Sequence, residues 1–206
     1  MKLLYGTGNA AKVSVMRQRL SGLDLELVSL QDLEAEGKAL PEIAEDGASL
    51  LENAKEKALA YYRAFQVPVF SCDSGLYIEG IPEEEQPGIH VRRVRGKCLT
   101  DEEMMQYYSG LAKKYGDLRA RYRSAICLVL DEEHVHPAME ENMASHPFLI
   151  TSRPHRDGIR KKGFPLDCLS VDISTGKYYY DMDDAQMEQL EVETGFLEFL
   201  QKYLDG

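Results

Sequence analysis

Glu45-Asp46-Gly47-Ala48-Ser49-Leu50-Leu51-Glu52-Asn53-Ala54-Lys55-Glu56-Lys57-Ala58 opens the stretch whose reading decides the fold, and Ser71-Cys72-Asp73-Ser74-Gly75-Leu76 closes it. Locally these residues spell an acidic loop, a helix, a short strand and a tight turn carrying a second acid. Ser49 and Glu52 have the spacing of a capping box, in which each side chain satisfies a backbone N–H of the other, so a helix is predicted to start near Leu50. Asn53 and Lys57 are four apart and share one helical face. Val67-Pro68-Val69-Phe70 reads as a short buried strand, with Asp73 at the Ser-Gly turn after it. Glu45 and Asp73 are two carboxylates that could converge on a hard divalent cation, which takes oxygen ligands. The plainer reading of the same residues is a capped surface helix followed by an Asp-Ser-Gly turn.

Toward the N-terminus, Lys2-Leu3-Leu4-Tyr5 reads as a first strand and runs at once into Gly6-Thr7-Gly8-Asn9. Val13, Met16 and Leu20 are spaced three and four apart and predict an amphipathic helix. A strand, a small-residue turn and a helix start make an anion site: the opening amides are unpaired, the helix dipole is positive there, and Lys12 adds a full charge. The pattern is neither a dinucleotide fingerprint nor a P-loop. Leu25 to Leu30 reads as a second strand, and Gln31 to Ala44 as a loop or short helical turn. The order β-α-β-loop-α-β predicts an α/β protein with helices packed on a sheet.

Toward the C-terminus, Val91-Arg92-Arg93-Val94-Arg95-Gly96-Lys97 is basic, either a polyanion clamp or a solvated strand edge. Thr100 and Glu103 form a second capping box, and Met104, Tyr107, Tyr108 and Leu111 give that helix an apolar face. Arg119 to Leu130 predicts a strand that ends buried. The segment 131–147, with His134, His136 and His146, lacks regular metal-ligand spacing and reads as a surface hairpin. Phe148 to Thr151 returns as a strand. A second basic cluster runs from Arg153 to Lys162. Phe164 is either core or a face for a nucleotide base. Gly176 to Met182 reads as strand-like, and a last helix starts near Asp183 with a break at Thr194-Gly195.

The chain has 206 residues, 44% apolar and 29% charged, with 24 basic against 35 acidic residues and a net charge of −11. That length suits one domain, and the acidic balance argues against bulk binding to a nucleic acid polymer. Cys72, Cys98, Cys127 and Cys168 are dispersed, without a C-x-x-C pair, and read as reduced thiols. No apolar run is long enough to span a membrane, and no signal peptide is recognisable, so a cytoplasmic protein is expected.

Three blocks in order, Thr7-Gly8-Asn9-Ala10-Ala11-Lys12, the segment 45–58, and Asp73-Ser74-Gly75-Leu76, make the chain resemble the inosine triphosphate pyrophosphatase family. Pro87-Gly88-Ile89 with Arg93 continues the likeness; Arg119-Ala120-Arg121-Tyr122 and Gly163-Phe164-Pro165-Leu166-Asp167 match more loosely. The resemblance implies a single 1–206 domain, an α/β two-lobed fold with a long central mixed sheet flanked by helices and a nucleotide cleft between the lobes, and a homodimer. It implies hydrolysis of a nucleoside triphosphate to monophosphate and pyrophosphate with Mg²⁺, the family substrates being deaminated purine nucleotides such as ITP, dITP and XTP. Carried over residue by residue, Thr7, Asn9 and Lys12 hold phosphates, and Glu45 and Asp73 sit at the metal, with Asp73 activating the attacking water. Ser74 touches substrate, Phe164 stacks the base and Asp167 lines its pocket; Gly8, Lys57, Arg93 and Lys177 join the substrate-binding set.

The departures are specific. Val15 stands where the family carries an acid, Cys72 replaces the first acid before Asp73, and Val91 replaces a serine. The base-pocket motif is altered to Phe164-Pro165-Leu166-Asp167-Cys168. Where the family has a lysine and then Ser-His-Arg, the alignment from Lys177 gives Met187 and Glu191-Val192-Glu193. The alternative expectation is therefore an impaired member of the fold that binds a nucleotide or a partner without turnover.

Overall fold

Three consecutive buried residues, Leu3, Leu4 and Tyr5, make β1 (Lys2–Tyr5) a strand covered on both faces, as in parallel sheets packed between helices. In the computed structural model, which describes residues 1–44, 47–190 and 194–204, α1 (Ala10–Arg19), β2 (Glu26–Ser29), α2 (Leu30–Ala35), α3 (Leu50–Phe65) and β3 (Val69–Ile78) follow. Then come the short pair β4 (Arg93–Val94) and β5 (Lys97–Cys98), α4 (Asp101–Tyr115), β6 (Leu118–Val129), β7 (Val135–Ala138), β8 (Phe148–Ile150) and β9 (Ser170–Asp172). Helices α5 (Asp184–Leu190) and α6 (Gly195–Leu204) end the chain. Among the described residues, seven strands form one mixed sheet in the order β2-β1-β3-β6-β8-β9, with β7 on β6. β1 runs parallel to β2 and β3, whereas β6, β7, β8 and β9 pair antiparallel.

The chain divides into two compact units, Met1–Ser74 with Ser124–Met143 and Thr194–Gly206, and Gly75–Arg123 with Ala144–Glu193. β3 and β6 contribute residues to both. The first unit has a core of Leu3, Tyr5, Val13, Met16, Phe70 and Cys72 with Ile126, Leu128 and the α6 residues Phe196, Phe199 and Leu200. The predicted helix face of Val13, Met16 and Leu20 lies in it, and Tyr5 stacks on Phe70 at 4.5 Å. The second unit packs Leu76, Ile78, Met104, Tyr108, Leu111, Phe148, Ile150 and Leu166. Its α4 starts with the predicted reciprocal box: Thr100 Oγ1 accepts from Glu103 N, and Glu103 from Thr100 N.

Three local expectations are corrected, and one reading of the basic stretch is borne out. The Asp-Ser-Gly turn does not form: β3 runs straight through Asp73, Ser74 and Gly75. A Cβ on Gly75 would lie 2.7 Å from Gly88 O, and Leu76 N donates to that same oxygen at 2.9 Å. The glycine is there to let another backbone approach, not to turn the chain. The box at α3 is only half made, because Ser49 Oγ accepts from Glu52 N but Glu52 Oε2 takes the N–H of Ala48. The basic stretch 92–98 takes the solvated-strand form of its two readings, as a hairpin folded at Arg95 and Gly96, whose φ values of 49° and 80° suit a primed turn. Gly176 to Met182 is mostly not a strand: apart from a bridge between Val171 and Tyr178, Tyr179–Asp181 makes a 3₁₀ turn.

Candidate functional site

Strand alternation decides what the Cys72-Asp73 pair can do. Successive side chains of β3 point to opposite faces, so Phe70 and Cys72 enter the core with Tyr5 and the α1 residues, while Ser71 and Asp73 face the other way. Ser71 Oγ donates to Gly6 O at 3.1 Å, and Gly6 N donates to Phe70 O at 2.8 Å. These bonds lay the exit of β1 along β3, so Thr7, Gly8 and Asn9 follow from a point beside Ser71, two residues before Asp73. Gly6 is required there: a Cβ would stand 2.3 Å from Ser71 Oγ and 2.5 Å from Tyr61.

Asp73 is held by the buried face of α3. Lys57 Nζ lies 3.1 Å from Asp73 Oδ1 and donates to Cys72 O at 3.0 Å; Asn53 Nδ2 donates to Asp73 Oδ2 at 3.1 Å. The Lys57 and Asp73 side chains are only 10% and 13% exposed. Asn53 also reaches back to the loop before α3, accepting from Gly47 N at 2.9 Å. Each Asp73 oxygen thus has one named partner and room for another, since a carboxylate offers about four lone-pair directions. The four-residue spacing of Asn53 and Lys57 was the signal for this brace, but sequence reasoning passed over Asn53 as a site residue.

The N-terminal corner differs from the expectation. The first amides of α1 are not unpaired, because Asn9 Oδ1 caps both Ala11 N (2.9 Å) and Lys12 N (3.3 Å). Asn9 is a better N-cap than an anion is a guest at those two amides, so what the corner presents to a ligand is side chains. Thr7 Oγ1 accepts from Asn9 N, which folds the turn on itself; at Gly8 a Cβ would meet nothing within 4 Å, and its carbonyl accepts from Gln31 Nε2 at 3.1 Å. Lys12 sits near enough to Cys72 to act on its thiol, as does Lys57, yet burial dominates and pushes that thiol up to about 12. Cys72 is therefore a neutral core residue, not a stand-in for a carboxylate. Ser74 Oγ lies 2.9 Å from Ser124 Oγ.

The remaining named residues belong to the second unit. Arg93 is exposed on the β4–β5 hairpin. Its neighbour Arg92 is committed to Asp101 Oδ1 (2.7 Å) and Leu99 O (3.0 Å), and Lys97 to Glu103, so much of the first basic cluster neutralises acids of α4. In the second cluster Arg160 pairs with Asp157 and lies over the Tyr180 ring at 4.7 Å. His155, buried, holds its loop to Asp181 through Nε2 at 3.1 Å. Phe164 is half-buried with Lys161 Nζ 5.0 Å from its ring centre. Asp167 follows in the 3₁₀ turn Pro165–Cys168, where burial raises its carboxyl to about 6 against the pull of Lys161. Lys177 is exposed and donates to Gln186 Oε1 at 3.3 Å. Met187 lies in α5, whereas Glu45, Asp46 and Glu191-Val192-Glu193 lie outside the described residues. Among the described residues no three metal-binding side chains stand together, and no helix is long and apolar enough to cross a membrane.

The fold and site together define an α/β protein with a lysine- and asparagine-braced carboxylate beside a strand–turn–helix corner. The Ham1 family model matches residues 3–147, and the chain belongs to the Ham1 family, which bears out the resemblance read from its three blocks. A protein of Thermus thermophilus named dITP/XTP pyrophosphatase is 29% identical over 183 residues, 88% of this chain and 81% of that one. A protein of the same name in Oceanobacillus iheyensis is 25% identical over 98% of both chains. Among solved structures, a Coxiella burnetii HAM1 protein superposes with a TM-score of 0.74 at 22% identity, covering 100% of this chain and 98% of that one. The Staphylococcus aureus Ham1 protein gives 0.71 at 19% identity, covering 100% and 99%. These two likenesses bear out the mixed α/β fold.

Proposed function

We propose that this protein hydrolyses nucleoside triphosphates, the deaminated purine nucleotides ITP, dITP and XTP among them, to the monophosphate and pyrophosphate. The observation that carries the reading is the brace on Asp73, two residues along β3 from Ser71, where Gly6 leads into the turn that bears Asn9 and Lys12. Lys57 and Asn53 restrict the carboxylate's rotation, so its remaining lone pairs keep a fixed aim. That is what a group orienting a water molecule and taking its proton needs. Thr7, Asn9 and Lys12 are assigned to the phosphates, and Ser74 and Arg93 to the substrate; Phe164 and Asp167 receive the base. Family membership and relatives named dITP/XTP pyrophosphatase support the assignment.

Mg²⁺ belongs to the same reading. It is commonly held by one or two carboxylates with substrate phosphates completing its shell, and Asp73, each of whose oxygens has one partner among the described residues, fits as one; Glu45 is assigned as the second. When bound, the ion supplies neutralising charge to the phosphates. A homodimer and a cytoplasmic location complete the proposal.

The buried, neutral Cys72 favours one alternative, nucleotide binding without turnover, because it removes an acid the family carries. Pyrophosphate release from a panel of nucleotides with Mg²⁺ decides between them. Turnover that Asp73→Asn lowers by at least about a hundredfold, the scale of lost general-base catalysis, supports hydrolysis. Folded protein with nucleotide affinity and no release supports the alternative.

A further inference from the structure

The turn between β1 and α1 is tied down from outside as well as from within. Thr7 N donates to Tyr5 O at 2.9 Å, and Asn9 N donates to Thr7 Oγ1 at 3.3 Å. The peptide joining Gly8 to Asn9 is thus held at its N–H end. Its carbonyl end is held by Gln31, whose Nε2 donates to Gly8 O at 3.1 Å. Gly8 needs that grip. Glycine ranges widely over φ and ψ, and with nothing within 4 Å of a Cβ position no packing confines it. Gln31 reaches over from a fixed base, because it is the second residue of α2 and its neighbour Asp32 anchors that helix. Asp32 Oδ2 accepts from Ser29 N at 2.8 Å, from Ser29 Oγ at 2.7 Å and from Arg17 Nη2, in the last turn of α1, at 2.9 Å. All of these groups lie in the first unit.

We infer that Gln31 is a positioning residue for this turn: its hold on the Gly8 carbonyl keeps the Asn9 amide on Thr7 Oγ1, which leaves the Thr7 hydroxyl proton for a phosphate oxygen. The inference rests on the reading of Thr7, Asn9 and Lys12 as the phosphate site. A threonine hydroxyl has one proton to give and two lone pairs with which to accept. The Asn9 amide occupies a lone pair, and among the described residues no acceptor takes the proton. A charged phosphate oxygen is the kind of acceptor that such a donor bonds most strongly. In a trans peptide the C=O and N–H point in opposite directions, so a rotation that released the Gly8 carbonyl would also carry the Asn9 N–H off Thr7. The hydroxyl would then be free to turn. Gln31 acts through the turn, without a bond of its own to the phosphate.

The test is a cycle of wild type, Gln31→Met, Thr7→Val and the double variant. Each is titrated calorimetrically with inorganic tripolyphosphate and Mg²⁺, which engages the phosphate end without a base, and each is assayed for kcat and KM on ITP. One net hydrogen bond is worth about 3- to 10-fold in an equilibrium constant. Gln31→Met is therefore expected to weaken tripolyphosphate binding and raise KM by roughly that factor, with kcat changed by less than about twofold. In the Thr7→Val background the same substitution is expected to cost less than about twofold, since the hydroxyl it positions is gone. Equal losses in the two backgrounds mark a merely structural role and overturn the inference, as does a Gln31→Met protein that binds tripolyphosphate like wild type; both leave hydrolysis intact. If wild type releases no pyrophosphate from any nucleotide, the hydrolase reading falls and the tripolyphosphate cycle alone decides the role of Gln31. Absence of wild-type affinity for tripolyphosphate overturns it.

Discussion

Replacing Lys57 by methionine isolates the brace on Asp73, because the methylene volume is largely kept while the ammonium goes. The lost interactions include the ion pair to Asp73 Oδ1 and the hydrogen bond to Cys72 O, at 3.1 and 3.0 Å. Breaking a buried ion pair by removing one partner costs about 3–5 kcal/mol. Asp73 keeps its bond from Asn53 and some access to water, which brings the expectation for Lys57→Met down to about 2–4 kcal/mol. In the Asp73→Asn background the charge on that acid is gone, and the loss of the donor to the Cys72 carbonyl costs about 1 kcal/mol. The double-mutant cycle should thus report a coupling of about 1–3 kcal/mol. Urea unfolding followed by ellipticity and tyrosine fluorescence measures it, and thermal melts should show Lys57→Met lowered by roughly 4–16 °C. Strict additivity, or a loss below about 0.5 kcal/mol for Lys57→Met, would refute the claim that the two side chains are coupled in a water-poor setting.

Gly75→Ala should destabilise by about 1–3 kcal/mol, the usual range for overpacking, because its Cβ meets Gly88 O, a backbone atom with little freedom to move; a chemical-denaturation midpoint equal to wild type would contradict this. Asn9→Ala removes the cap on Ala11 and Lys12 and should cost about 1 kcal/mol, whereas Asn9→Ser should recover most of it in the same denaturation assay. Asp167→Asn has a pH signature. The folded carboxyl titrates near 6 rather than 3.8 because burial disfavours its charge, so stability is fullest below pH 3.8 and is lost as pH rises through 6. The neutral amide should then stabilise at pH 8 by no more than about 3 kcal/mol, the limit set by that interval, and be close to neutral below pH 4. A gain independent of pH in calorimetric scans would count against burial as the cause.

Elements held by short-range chemistry were readable from the residues alone. The strand Lys2–Tyr5, the helix face of Val13 and Met16, and the Thr100–Glu103 box all depend on neighbours within a few positions. What escaped was decided by distant partners. Asp73-Ser74-Gly75 has turn composition, yet the oxygen of Gly88 recruits it into a strand. Tyr178-Tyr179-Tyr180 has strand composition, yet after Tyr178 the chain coils, where Tyr180 meets Arg160 and His155. At the candidate site, Asp73, Lys57 and Asn9 were legible as residue types in the right order. That Asn9 spends its oxygen on the helix, and that Asn53 grips Asp73, depends on side-chain orientation, which no spacing rule encodes.

The Asn53 amide has a polarity that its partners dictate. Gly47 N–H can only give a proton, so the side-chain oxygen must turn toward it, which leaves the NH₂ for Asp73. Of the near-isosteric residues, leucine would leave both partners stranded, and aspartate would set two carboxylates against each other. Position 53 therefore ties Gly47, at the entry to α3, to the acid on β3 through a single side chain whose amide can be oriented only one way.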